Sequence, residues 1–158
     1  MSDWIPVDVV PRTSGDAPTA AVALPGEFTS VHTARRFTER LLRRWGLERF
    51  CEDAQLIVSE LVTNALRHAN VRGEPEPDPL STDGVWAWPR PIRLALACTD
   101  EGVTCLVADT SSREPVARHF DGLMPGGRGL HIVAALSREW GTTPLARGGK
   151  VVWARLGD

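Results

Sequence analysis

Lysine is nearly missing from this chain: Lys150 is the only one, and the remainder of its 18 basic residues are arginine. Together with abundant alanine and little asparagine, that bias points to a GC-rich bacterial genome rather than to a function. An excess of positive charge is also missing. A formal balance of -2 gives no support to nucleic-acid binding driven by phosphate neutralisation. No window reaches the roughly 20 apolar residues of a membrane span, and the N-terminus lacks the basic-then-apolar order of a secretion signal. The expected location is the cytoplasm, with no membrane partner. Cysteine is sparse. Cys51, Cys98 and Cys105 form an odd set without the spacing of metal ligands, and read as small buried hydrophobes that stay reduced. Cys98 and Cys105 flank an expected hairpin turn at Glu101-Gly102, which would set them opposite each other.

What is present suffices for one domain. A chain of 158 residues, 42% of them hydrophobic, can bury one proper core and is short for two. Residues 1–19 are rich in Pro, Ser, Thr and Asp and read as a partly disordered tail, with Trp4 and Ile5 as candidates for docking. The domain proper is expected over 20–158. A strand, Ala20 to Leu24, precedes Pro25-Gly26. A helix capped by Thr29 or Ser30 then runs to about Trp45, with Val31, Ala34, Phe37 and Leu41 as its apolar stripe and Gly46 as its stop. A second helix covers Glu52 to about Asn70. Five prolines in residues 72–91 make an irregular connection, in which Trp86 and Trp88 either cover the sheet or form a recognition surface. Strands Ile92–Thr99 and Val103–Asp109 follow, then an irregular stretch 110–126, a helix Arg128–Glu139, and strands near Trp140–Leu145 and Lys150–Leu156. No internal repeat is visible. This order predicts a two-layer α/β sandwich: a mixed, mostly antiparallel sheet covered on one face by about three helices.

Three constellations carry chemistry. On the second helix, Ala54, Ile57, Val58, Leu61, Val62, Ala65 and Ala69 form one apolar stripe, with Ser59, Thr63 and Arg67 expected on the solvated side. Glu60, Asn64 and His68, at i, i+4 and i+8, run up one edge of that stripe. Taken singly, each reads as well as a half-exposed Glu, a capped Asn or a satisfied core His. Three of them sharing one edge beside a core imply a polar occupant. An Asn carbonyl suits Mg²⁺, and a nearby Glu can take a proton from an attacking hydroxyl. The second constellation is Asp109, last in its strand and on the face of Leu94, Leu96, Cys98, Cys105 and Val107. It needs a donor, which is either an exocyclic amine such as that of adenine or the turn that follows it. The third is Pro125-Gly126-Gly127-Arg128-Gly129-Leu130 at a helix start, where backbone amides and the helix dipole can hold an anion. It is neither a Walker loop nor a dinucleotide fingerprint.

Glu60-Leu61-Val62-Thr63-Asn64-Ala65-Leu66-Arg67-His68-Ala69 resembles the asparagine box of the GHKL ATPases, whose nucleotide site is the Bergerat fold. Val107-Ala108-Asp109-Thr110 stands where the first glycine box begins, and Gly127-Arg128-Gly129-Leu130-His131-Ile132-Val133 resembles the second. Leu24-Pro25-Gly26, Ala34-Arg35-Arg36-Phe37 and the closing Gly148 to Leu156 are similar to the anti-sigma-factor serine kinases of that superfamily. The resemblance spans residues 20–156 in order. It implies that Asn64 binds Mg²⁺, Glu60 is the catalytic base, and Asp109 reads adenine. It also places His68, Gly127, Arg128, Gly129 and Leu130 around the nucleotide, beneath a lid at 110–126. It implies ATP and Mg²⁺ as ligands, a sigma factor and an anti-anti-sigma-type antagonist as partners, and homodimers as a common state. Ser111 and Arg113 replace two glycines of the first box, and Val151 replaces a threonine common in the last strand. The chain lacks a phosphoacceptor-histidine helix pair, which separates it from complete sensor histidine kinases.

Overall fold

The computed structural model describes residues 4–6, 8–10, 18–69, 91–100, 102–109, 127–145 and 148–157. Most of the tail, the proline-rich connection with Trp86 and Trp88, and the 110–126 stretch with Ser111 and Arg113 lie outside the described residues. Among the described residues, five strands make one sheet: β1 (Thr19–Leu24), β2 (Ile92–Thr99), β3 (Gly102–Asp109), β4 (Glu139–Pro144) and β5 (Lys150–Gly157), in the order β1-β2-β3-β5-β4. Every pairing among them is antiparallel, so the sheet is of one kind rather than mixed. Helices α1 (Thr29–Arg44), α2 (Cys51–Ala69) and α3 (Gly127–Leu136) cover one face, giving the expected two-layer α/β sandwich.

Side-chain alternation sorts the two faces. Ile92, Leu94 and Leu96 of β2 and Val103, Cys105 and Val107 of β3 bury against Ile57, Val58, Leu61 and Val62 of α2 and Val133 of α3. The opposite face reads from the sequence as less apolar, yet it carries a second core. Ala95, Leu106, Ala108 and Val151 pack there with Val9, and Trp4, Ile5, Val10, Leu145 and Trp153 pack around them. Arg155 ties this cover down. Its Nη2 donates to the Val9 carbonyl at 2.8 Å, and its guanidinium stacks 4.8 Å from the Trp153 ring centre. Gly141, opposite Trp153 in the β4–β5 ladder, has no room for a side chain, since a Cβ would lie 2.7 Å from an indole carbon.

The β2–β3 hairpin pairs Thr99 with Gly102, so Gly102 lies in the ladder rather than in the turn expected at Glu101-Gly102. Cys98 therefore faces Val103, and Cys105 faces Leu96. The expected cross-strand cysteine pair is not formed, and all three cysteines are free thiols. The register differs by two positions, an even number, and every side chain keeps its expected face. Gly102 holds φ of +155°, and a Cβ there would run into the Leu156 carbonyl oxygen.

Two helix ends also differ from expectation. Phe28, not Thr29 or Ser30, occupies the N-cap of α1, without a side-chain cap bond. Ser30 is buried, and its hydroxyl donates instead to the Pro25 carbonyl at 2.6 Å. The buried line of α1 is Ser30, Ala34, Thr38 and Leu42, while Val31, Phe37 and Leu41 are only partly covered. Gly46, with φ of +71°, ends α1 as expected, and the Leu47 amide reaches back to the Leu42 carbonyl at 2.7 Å. Helix α3 stops at Leu136, three residues before the expected Glu139. The Arg138 amide already bonds the Arg155 carbonyl, and Glu139 opens β4.

Candidate nucleotide site

The register fixes which ends lie together. Leu24 pairs with Ile92, Arg93 with Ala108, Asp109 with Lys150, and Pro144 with Lys150, all at one end of the sheet. Four residues separate β1 from α1, so α1 starts at this end. Helix α2 packs along α1 after a short connection and so returns antiparallel toward the same end. Helix α3 joins β4 through Ser137 and Arg138 at the opposite end, where Glu139 pairs with Arg155. Its first turn, Gly127 to Leu130, thus lies about 15 Å back from that junction. A cavity of about 320 Å³ lined by Thr99, Arg138, Glu139, Arg155 and Leu156 belongs to the opposite end and is a separate feature.

On α2 the buried arc comprises Ala54, Ile57, Val58, Leu61, Val62, Ala65 and Leu66. It is wider than the stripe expected from the sequence, because α2 packs on α1 and α3 as well as on β3. Ser59, expected on the solvated face, is buried, and its hydroxyl donates to the Gln55 carbonyl at 2.7 Å. Glu60 and Asn64 lie half-buried one turn apart at the border of this arc, Thr63 is half-buried, and Arg67 is exposed. His68 follows in the last turn of the helix.

Asp109 closes β3 on the helix-facing side and is 4% exposed. Its Oδ1 accepts a hydrogen bond from Lys150 Nζ at 3.0 Å, and both side chains are almost wholly buried. The first residue of β5 thus supplies the counter-charge to the last residue of β3. Removing one member of such a pair leaves an uncompensated buried charge and costs about 3–5 kcal/mol. In the sequence Val151, at the place of the family threonine, draws attention ahead of Lys150. Face parity explains the difference. Val151 points into the second core, and its neighbour Lys150 is the residue that meets Asp109. The sequence offers only a lone lysine at the start of a strand; the register that sets it against Asp109 is written in no local pattern. The β4–β5 turn sets it there: Gly148 and Gly149 hold φ of +96° and +92°, and the Leu145 amide donates to the Gly149 carbonyl.

Gly127, Arg128 and Gly129 form the first turn of α3, and Leu130 and Val133 anchor the helix in the interior. The first-turn amides of a helix have no partners within it, so this start offers donors to an anion. His131 on the next turn is exposed.

A family model for the histidine kinase-like ATPase domain matches residues 24–156. No curated protein matches the chain. The match spans most of the chain, which therefore belongs to the histidine kinase-like ATPase domain family, within the GHKL superfamily. ATP binding, typically with Mg²⁺, is the property this domain implies. Among the described residues, no group of three or more His, Cys, Asp and Glu could by itself hold a metal ion. The half-buried Asn64 amide oxygen is a hard donor of the kind that a cation held mainly by phosphate oxygens would accept as one protein ligand. Among the described residues, no helix is long and apolar enough to cross a membrane.

Proposed function

We propose that this protein binds ATP with Mg²⁺ and transfers the γ-phosphate to a serine of an antagonist protein, sequestering a sigma factor in another state. The observation that carries the reading is the pairing of Glu60 and Asn64, one turn and about 6 Å apart along the half-buried edge of α2. That edge runs toward the sheet end that holds Asp109. Asn64 would hold Mg²⁺, which when bound neutralises charge on the phosphates. The first-turn amides of α3 would face the phosphate oxygens. Asp109 would accept from the exocyclic amine of adenine. Glu60 would take the proton of the attacking serine hydroxyl as the new Oγ–P bond forms and the bond to the β-phosphate oxygen breaks, releasing ADP. Positioning and charge neutralisation carry most of such a transfer.

Glu60→Gln tests it by keeping shape and hydrogen bonding while removing the proton acceptor. ATP affinity should change little, and transfer to a serine-bearing partner captured with non-hydrolysable ATP should fall by roughly 10²–10⁴-fold. A second reading draws on Ser111 and Arg113, which stand where the first glycine box has glycines: a non-catalytic module whose protein contacts are gated by nucleotide. Nucleotide-dependent capture of partners that wild type never phosphorylates would establish that reading and retire the kinase.

A further inference from the structure

We infer that Lys150 is the positioning residue for base recognition: its ion pair with Asp109 sets the plane of that carboxylate and keeps it purely an acceptor. The inference rests on the proposed reading of Asp109 as the residue that faces adenine. An isolated carboxylate this deeply buried is driven toward its neutral form, because burial strips the charged state of solvent. A neutral carboxyl carries a proton and can donate as well as accept. Such a group would tolerate the carbonyl that guanine presents where adenine has an amine. An ammonium 3.0 Å from Oδ1, itself buried, holds the negative charge in place. The pair is built into the fold: Asp109 and Lys150 are direct cross-strand partners, and the Gly148-Gly149 turn leads straight into Lys150. The arrangement gives a function to the one lysine in a chain that otherwise uses arginine throughout. A compact ammonium on a flexible stem suits one buried oxygen, whereas a guanidinium brings five donors that would all need partners.

Because Lys150 is the only lysine, labelling lysine with ¹⁵N yields a single side-chain ammonium signal in the wild-type protein. Saturating ATP should move that signal, and GTP at the same concentration should leave it in place. In parallel, calorimetry gives the ratio of ATP to GTP affinity for wild type, Asp109→Asn, Lys150→Met and Lys150→Arg. The ratio should fall by roughly 10–100-fold in Lys150→Met, the range expected for losing one hydrogen bond to a charged group. Lys150→Arg keeps the charge but adds donors that the buried site must pair, so it should retain only part of it. A merely structural lysine would weaken both nucleotides alike and leave the ratio unchanged. If Lys150→Met does not fold, the ¹⁵N signal in wild type decides. An unmoved signal under saturating ATP, or an unchanged ratio in Lys150→Met alongside a lost ratio in Asp109→Asn, overturns the inference and leaves the nucleotide reading standing. Equal affinity of wild type for ATP and GTP removes Asp109 from base recognition and takes the inference with it.

Discussion

Asp109 and Cys105 sit four residues apart on the same face of β3, and burial treats them differently. Asp109 meets a buried ammonium, whereas burial pushes the Cys105 thiol up from its ordinary 9.0 to about 12. The folded value lies above the unfolded one. This thiol's contribution to stability is therefore intact below pH 9 and drains away as pH rises toward about 12, where the unfolded chain alone carries the thiolate. Urea unfolding at pH 8 and pH 10 should show a loss of stability that shrinks in Cys105→Ala. In the native protein, thiol-directed reagents should modify the half-buried Cys51 and Cys98 well before Cys105. The chemistry of single residues was legible in the sequence where a motif named them: Glu60, Asn64 and Asp109 stood out by spacing and by position at a strand end. Lys150 was not, because its role depends on a cross-strand register that no local pattern states.

At the scale of elements, hydrophobic period placed α2 and the β2–β3 hairpin within a residue or two. Hydrogen bonds that no local pattern announces displaced the ends. Ser137, Arg138 and Glu139 continue a helical composition past the end of α3, but the sheet claims the Arg138 amide through the Arg155 carbonyl, and Glu139 opens β4. Ser59 was assigned to solvent because a single-sided helix would expose it, and packing on two neighbouring helices buried it instead. The same packing predicts that Leu66, absent from the stripe read in sequence but fully buried, is a core residue. Leu66→Ala should cost about 2–5 kcal/mol in urea unfolding. At the hairpin, Gly102→Ala should destabilise by more than the ordinary penalty for a disfavoured φ, because the new methyl meets the Leu156 carbonyl and the β3–β5 ladder must give way.

The whole molecule is a sheet with two covered faces that do different work. The helix side holds the candidate nucleotide site at one end. The opposite side is closed by the N-terminal chain, with Val9 3% exposed and its carbonyl held by Arg155. Composition made the first nineteen residues look like a tail, since docking by a few apolar side chains leaves no periodic trace. Deleting residues 1–10 should uncover Ala95, Leu106, Ala108 and Val151 and lower stability by about 2 kcal/mol or more, on the burial of Val9 alone. ATP affinity should survive that deletion, because the site faces the other way. Lost affinity with intact secondary structure would show that the two faces are coupled.

Calorimetric titration of wild type and Asn64→Ala with ATP, with and without Mg²⁺, decides whether this fold holds ATP through a cation ligated by Asn64. Wild type should bind ATP more tightly when Mg²⁺ is present. Asn64→Ala should lose that Mg²⁺-dependent gain while keeping the wild-type circular dichroism spectrum. Equal affinity and equal Mg²⁺ dependence in the two proteins, or no ATP binding by wild type at all, would contradict that ligation.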